Sequence, residues 1–119
     1  MFTNIQKRDG RVVPYNIEKI SNAIEKAMKA AGRDERDESI RLANLVEKRL
    51  VQKYDTQTPD IEKIQDCVED ILMENGYAFV ARKYILYRSE RSMARERNSN
   101  LMRIYDELTN KAANLSDMK

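Results

Sequence analysis

The stretch IQKRDGRVVPYNIEKI, residues 5–20, decides the fold at the start of this chain. It joins two β-rich runs through Asp9-Gly10 and ends in apolar residues at helical spacing. A two-residue type I′ turn needs positive φ at both central positions, which Asp and Gly tolerate best. The stretch therefore predicts a β-hairpin with a two-residue turn, carrying Lys7, Arg8 and Arg11 at its tip.

The second half of the stretch predicts the start of a helix. Pro14 lacks a backbone N–H and so places the second strand at an edge or near its end. Asn16 stands where a helix N-cap is wanted, and Lys19 falls in the first turn. Cations near a helix N-terminus oppose the macrodipole, so Lys7, Arg8 and Lys19 together suggest an anion between them, such as a nucleoside triphosphate.

The next residues predict two helices joined by a charged connection. The first runs from about Asn16 to Ala31, and Gly32 is a plausible C′ residue. The second ends near Tyr54 and has Asp34 or Asp37 as its N-cap. Its expected inward face contains Ile40, Ala43, Val46 and Leu50, widened by Leu42 and Leu45.

Two further helices are predicted after residue 57. In Thr58-Pro59-Asp60, Thr58 can cap a helix, and proline at the first helical position loses no needed donor. Asn75-Gly76 ends that helix, and a fourth begins almost at once with an apolar and aromatic stripe of Val80, Tyr84 and Tyr87. From about Asn98 the periodicity weakens, which fits a linker or an extra helix.

Composition excludes several classes of function. Lys and Arg total 22 against 20 Asp and Glu, so bulk charge gives little support for nonspecific nucleic-acid binding. One cysteine and no histidine exclude an internal disulfide and a Cys-rich zinc site. Three glycines are too few for a Walker or dinucleotide loop, and no acid/base pair stands out, so we expect neither a catalytic site nor a metal site in the chain. With no signal peptide and no apolar run of about twenty residues, we expect a cytoplasmic protein away from membranes.

These motifs resemble the ATP-cone, a small allosteric domain of many ribonucleotide reductases. The resemblance covers most of the chain through Ile5, residues 7–10, Pro14-Tyr15, Lys19-Ile20, residues 58–61, residues 74–77, Ala81 and residues 84–88. It implies an α+β fold with a small N-terminal β-hairpin or short antiparallel sheet packed on an antiparallel four-helix bundle. The nucleotide would lie between hairpin and helices.

The resemblance also implies a set of nucleotide-binding residues: Ile5, Lys7, Arg8, Gly10, Asn16, Lys19, Thr58, Arg88 and Arg91. Lys7 and Arg8 would hold phosphates, and Ile5 would lie against the base. Without the resemblance, the same residues are explained as a solvated turn, helix caps and surface charges. Some relatives carry an acidic residue where Val13 stands, which puts a ribose or metal role at that position in doubt.

The function implied is control of overall reductase activity in deoxyribonucleotide synthesis and thus DNA replication. ATP would permit turnover and dATP would suppress it, with Mg²⁺ shielding phosphate charge. Residues 98–119 resemble the lead-in to the catalytic domain of the anaerobic, glycyl-radical (class III) ribonucleoside-triphosphate reductase. We therefore expect residues 1–96 to be a non-catalytic regulatory domain and residues 97–119 a linker or the start of a catalytic domain.

The expected partners are adenine nucleotides, the catalytic domain of the same reductase and further copies of the cone, without direct nucleic-acid binding. Three alternatives stay open: a cone of another reductase class, a nucleotide-sensing transcriptional regulator and a plain helical interaction module. The regulator needs a cysteine-rich zinc module, whereas this sequence offers only Cys67. The interaction module predicts no affinity for adenine nucleotides.

Overall fold

A computed structural model describes residues 1–117, with the side chains at 99, 105, 106 and 109–117 left aside. The described chain is α+β, with one two-stranded antiparallel sheet and four helices. The elements are β1 (Asn4–Gln6), β2 (Val12–Pro14), α1 (Ile17–Ala30), α2 (Arg36–Tyr54), α3 (Ile61–Glu74) and α4 (Ala78–Asp117). By its internal contacts the chain forms two units, Met1–Leu86 and the part from Tyr87 onward.

The hairpin forms where it was predicted, but its turn is different. Ile5 pairs with Val13, and the Lys7 N–H donates to the Arg11 carbonyl at 2.7 Å. Three residues therefore separate the last paired positions. Gly10 has a φ of 88°, whereas Asp9 does not enter the positive-φ region, so the two-residue type I′ prediction is wrong. This is the three-residue hairpin loop, with glycine in its left-handed position.

The Asp9 side chain explains this choice of turn. Its carboxylate accepts from the backbone N–H of Arg11 at 3.0 Å and from the Arg11 Nε at 2.6 Å. Both contacts bind the carboxylate locally, and they lower the pKa of Asp9 below its ordinary value. Glycine alone then takes the left-handed conformation, which costs it nothing sterically.

The helix ends follow the sequence signals closely at three places. The Asn16 side chain accepts from the backbone N–H of Glu18 at 3.0 Å, so the predicted N-cap of α1 is confirmed. Gly32 and Gly76 follow α1 and α3 with φ of 81° and 83°. Backbone bonds of the Schellman type close both ends, as in the 2.8 Å bond from the Arg33 N–H to the carbonyl of residue 28.

Two predicted caps are wrong. The N-cap of α3 is Asp60, whose carboxylate accepts from the Lys63 N–H at 2.9 Å, and not Thr58. The N-cap of α2 is Glu35, without a side-chain cap bond, in place of Asp34 or Asp37. For α3 the physical reason is that the residues before Asp60 pair with β1, which delays the helix.

The core of the first unit lies among α1, α2, α3 and the first turns of α4. Helix α1 packs against α2, and α2 packs against α3. Helix α4 contributes Val80, Ala81 and Tyr84 to the same apolar cluster. The other buried apolar residues are Phe2, Ile5, Ile20, Ile24, Ala27, Met28, Leu42, Ala43, Val46, Leu50, Ile64, Cys67, Val68, Ile71 and Leu72. Antiparallel four-helix packing stays a prediction.

One predicted core position of α2 is wrong. Ile40 is 40% exposed, whereas its neighbour Ser39 is completely buried. The Ser39 hydroxyl donates to the Glu35 carbonyl at 2.8 Å, so its burial leaves no unmet hydroxyl. The inward stripe of α2 is therefore rotated from Ile40 towards Ser39, Leu42, Val46 and Leu50.

The second unit is the continuation of α4. The segment expected to be a linker or an extra helix from about Asn98 is an unbroken part of this helix as far as Asp117. Exposed apolar side chains occur along it at Met93, Leu101, Met102, Ile104 and Leu108. The predicted boundary between residues 96 and 97 concerns where another functional domain begins, and it stays a prediction. Among the described residues, every helix is too short or too polar to cross a bilayer.

Candidate functional site

The candidate site lies where β1 meets the start of α3, and we call residues 5–8 with 58–62 the hairpin–α3 junction. The Gln6 N–H donates to the Pro59 carbonyl at 2.9 Å, and Gln6 forms an isolated parallel bridge with Asp60. β1 therefore has β2 on one side and the segment before α3 on the other. This backbone pairing fixes the hairpin tip beside the first turn of α3.

Two predicted cationic residues, Lys7 and Arg8, follow β1 at the junction. Lys7 is half-buried, and the Arg8 Nε lies 2.5 Å from the Glu62 Oε1 in the first turn of α3. The side chains of Arg8 and Glu62 are 31% and 44% exposed, so solvent reaches both. The junction thus presents a solvent-accessible guanidinium at the positive end of a helix, an arrangement that favours an anionic ligand.

Ile5 and Thr58 also belong to the junction, Ile5 in β1 and Thr58 in the segment before α3. Ile5 is buried in the core cluster, which anchors β1. Thr58 is exposed, and since Asp60 caps α3, the Thr58 hydroxyl is not required for the start of the helix. Gly10 lies in the exposed turn beyond the junction, where its φ of 88° shapes the tip.

The remaining candidates of the first unit follow β2. Asn16 caps α1, and Lys19 is exposed in the first turn of that helix. The connection is held by Tyr15, whose N–H donates to the Thr3 carbonyl at 2.9 Å and whose hydroxyl donates to the Glu47 Oε2 at 2.7 Å. The structure therefore sets Asn16 and Lys19 at the base of the hairpin, with Lys7 and Arg8 at its other end.

Tyr15 is held at the base of the hairpin by contacts of both its ring and its hydroxyl. Its ring packs edge-on against Phe2 at 4.9 Å between centroids. Burial, with the hydrogen bond to the Glu47 carboxylate, raises the pKa of Tyr15 well above its ordinary value. Tyr15 consequently stays a neutral hydrogen-bond donor over the whole physiological pH range.

Arg88 and Arg91 lie on α4 in the second unit, Arg88 half-buried and Arg91 exposed. Their spacing of three residues puts them on one face of the helix. Their assignment to a ligand comes from the family resemblance and stays a prediction.

Cys67 is the one cysteine of the sequence. Cys67 is buried, burial raises the pKa of its thiol, and its Sγ faces the Val46 carbonyl at 3.9 Å. A thiol held protonated in this way is a poor nucleophile. Among the residues that the structure describes, no group of three His, Cys, Asp or Glu side chains could hold a metal ion.

Sequence reasoning missed two polar residues on α3. Glu62 pairs with Arg8, and the Oε1 of Gln65, one turn later, is buried without a hydrogen-bond partner in the described part of the chain. An acidic residue in a first helical turn is ordinary, so only the docking of the hairpin distinguishes Glu62. For Gln65, no signal in the sequence separates it from a solvated side chain.

The fold and the site together define a small α+β domain in which a basic β-hairpin is docked on the N-terminus of a helix. Comparison with known families matches residues 3–93 to the ATP cone domain, and the chain belongs to the ATP-cone family. The resemblance seen in the sequence is confirmed at this level.

The chain is similar to reductases of more than one class. It is 42% identical over 113 residues to the vitamin B12-dependent ribonucleoside-diphosphate reductase of Thermoplasma acidophilum, covering 91% of this chain and 14% of that protein. It is 39% identical over 101 residues to the anaerobic ribonucleoside-triphosphate reductase of Salmonella typhimurium, covering 85% and 14%. The ribonucleoside-diphosphate reductase subunit alpha of Chlamydia muridarum is 38% identical over 104 residues, covering 79% and 10%. The chain thus spans about a seventh of the length of the first two relatives, and the anaerobic class is not singled out.

Proposed function

We propose that this chain is the allosteric domain of a ribonucleotide reductase, binding ATP and dATP to set the overall activity of the enzyme. Membership of the ATP-cone family supports an adenine nucleotide as the ligand. The three relatives described above are all ribonucleotide reductases, which supports the enzyme context. In this proposal the catalytic machinery belongs to the remainder of the reductase.

The observation that carries the proposal is the docking of the hairpin on α3. The docking is supported by the bond from the Gln6 N–H to the Pro59 carbonyl and by the ion pair of Arg8 with Glu62, and Lys7 precedes Arg8 at the end of β1. A planar guanidinium offers paired N–H donors to phosphate oxygens, and an ammonium supplies a compact charge. A triphosphate is the part of ATP that such groups recognise.

The other candidates are assigned from the family resemblance. Ile5 would contact the base, Gly10 would shape the tip, and Asn16, Lys19 and Thr58 would add polar contacts. Arg88 and Arg91 are kept as phosphate-binding candidates on the strength of the resemblance. Mg²⁺ would accompany the nucleotide and shield the phosphate charge left over by the protein cations.

Regulation requires that ATP and dATP favour different states, since a ligand with equal affinity for both states shifts nothing. We propose that ATP permits turnover, that dATP suppresses it, and that the states differ in how cones associate with each other or with the catalytic domain. The 2′-hydroxyl is the group that must be read, directly or through packing around the ribose.

For the class of the parent enzyme we propose the anaerobic, glycyl-radical reductase, supported by the resemblance of residues 98–119 and by the relative from Salmonella typhimurium. A vitamin B12-dependent reductase is the second candidate, because the relative from Thermoplasma acidophilum is 42% identical over 91% of this chain. Assay of the full-length parent with and without a B12 cofactor separates the two, since only the second candidate requires that cofactor.

The binding proposal is tested by isothermal titration of the 119-residue chain with ATP and with dATP, each with Mg²⁺, and with GTP as control. Oligomer size is followed in the same samples by light scattering. We expect saturable binding of the adenine nucleotides, much weaker binding of GTP, and a size change specific to one of ATP and dATP. A folded chain that binds none of the three contradicts the proposal and leaves the plain interaction module.

A further inference from the structure

The ion pair between Arg8 and Glu62 joins two different elements of the junction. Arg8 belongs to the hairpin turn and Glu62 to the first turn of α3, and the Arg8 Nε lies 2.5 Å from the Glu62 Oε1. The hairpin does not depend on this pair for its docking. The bond from the Gln6 N–H to the Pro59 carbonyl and the bridge between Gln6 and Asp60 already hold the backbone.

We infer that Glu62 is an internal competitor for the phosphate groups of the nucleotide. Its carboxylate occupies the Nε edge of the Arg8 guanidinium, which is one of the edges that a phosphate would engage in paired hydrogen bonds. A nucleotide must displace this carboxylate before Arg8 can bind it fully. Glu62 therefore lowers the affinity of the site, and this inference rests on the proposed function.

The exposure of the pair makes the exchange feasible. With side chains 31% and 44% exposed, both partners keep part of their hydration, and exposed ion pairs are weak. Breaking the pair therefore costs little, whereas a buried pair would close the site. After displacement the Glu62 carboxylate still lies in the first turn of α3, where it repels a polyanion at short range.

The consequence is that Glu62 raises the nucleotide concentration at which the site is half saturated. Without Glu62, the junction would hold the nucleotide more tightly and would be saturated at lower concentration. With Glu62, the domain responds at a higher concentration of nucleotide. The acidic residue thus sets the range of the sensor without being a ligand itself.

The test is Glu62→Gln, with affinity for ATP measured by isothermal titration in the presence and in the absence of Mg²⁺. Loss of a competing exposed ion pair should tighten binding about two- to fivefold under both conditions. Glu62→Ala should tighten it similarly, since the effect comes from removing a charge. The matched control is Glu74→Gln, which breaks the exposed ion pair of Glu74 with Arg49 between α3 and α2 and should leave the affinity unchanged.

Other results overturn the inference in identifiable ways. Unchanged affinity in Glu62→Gln means that the pair does not compete with ATP. Weaker binding only with Mg²⁺ means that Glu62 holds the cation, and equal tightening in Glu74→Gln means that the net charge acts. In each case ATP binding by the unmodified chain keeps the proposed function intact, whereas failure of that chain to bind ATP overturns the proposed function itself.

Discussion

The hairpin–α3 junction and the helical core of the same unit are stabilised in opposite ways. The core is apolar and closed, with Ile24, Met28, Leu42 and Leu72 completely buried. The junction depends on short backbone pairing and on an ion pair whose side chains are 31% and 44% exposed. The difference teaches that the polar groups of the junction can change partners while the core stays intact.

Truncating a core residue should give the largest change, a loss in the free energy of unfolding. Leu42→Ala removes a side chain that is 0% exposed, and the lost burial with the cavity left behind should lower the free energy of unfolding by about 2–5 kcal/mol. Urea denaturation measures this change. The matched control on the same helix is Ile40→Ala, which should cost within about 0.5 kcal/mol because a surface side chain is shortened. Equal losses in the two variants would contradict the described rotation of α2.

Truncating a junction cation should separate binding from folding. Arg8→Ala or Lys7→Ala should weaken ATP binding at least about tenfold through loss of charge-assisted hydrogen bonds to phosphate. The urea midpoint should stay near that of the unmodified chain, because neither side chain belongs to the core cluster. Arg41→Ala, which removes an exposed cation of α2, is the control and should bind ATP normally. Retained affinity in both junction variants would remove Lys7 and Arg8 from the site.

Much of the fold could be predicted because local chemistry decides it. Asn16, Gly32 and Gly76 act within a few residues of their own positions, so both ends of α1 and the C-terminal end of α3 follow from the sequence. Thr58 failed as a cap because β1 pairs with the segment before α3, and that contact spans about fifty residues of sequence. Ile40 failed because its helical face depends on where α1 and α3 lie, which periodicity alone does not define.

The site could be predicted only in part for the same reason. The hairpin motif made Lys7 and Arg8 candidates, and the structure brings Arg8 to the first turn of α3. Glu62 could not be identified, since its importance comes from a contact between elements far apart in sequence. The turn was misassigned because Asp9 has two options, a positive φ or a carboxylate bonded to Arg11, and the second one prevails.

Two of the three left-handed glycines, one in the junction hairpin and one between helices, separate the effects on affinity from those on stability. Gly10 and Gly32 have φ of 88° and 81°, and a Cβ at either would meet no atom within 4 Å. Alanine at each should therefore cost only conformational energy, about 1 kcal/mol, in urea denaturation. ATP affinity should fall in Gly10→Ala, because the tip is distorted, and should be unchanged in Gly32→Ala, which lies between α1 and α2. Equal effects on affinity would show that the tip does not shape the site.

The smallest expected effect is a pH dependence of the free energy of unfolding, which comes from Glu38 on α2. The Arg41 guanidinium and the Tyr77 hydroxyl both donate to the Glu38 carboxylate and lower its pKa to about 2. Because this pKa is depressed in the folded state, the contribution is present above the ordinary value of about 4.5 and is lost as the pH falls from there towards 2. The Glu38 side chain is 24% exposed, so solvent screening should keep the contribution below about 1 kcal/mol.

Glu38→Gln isolates that contribution, because the amide oxygen can still accept from Tyr77 while the charge facing Arg41 is gone. The free energy of unfolding should fall less between pH 6 and pH 3 in Glu38→Gln than in the unmodified chain, because the other carboxylates titrate equally in both proteins. ATP affinity at pH 6 should be the same in the two proteins, since this cluster joins α2 to the start of α4 and has no part in the hairpin tip. Altered affinity with unchanged stability would instead mean that the Glu38 cluster takes part in binding. The distinction between a stabilising core and a ligand-binding junction would then be wrong for this cluster.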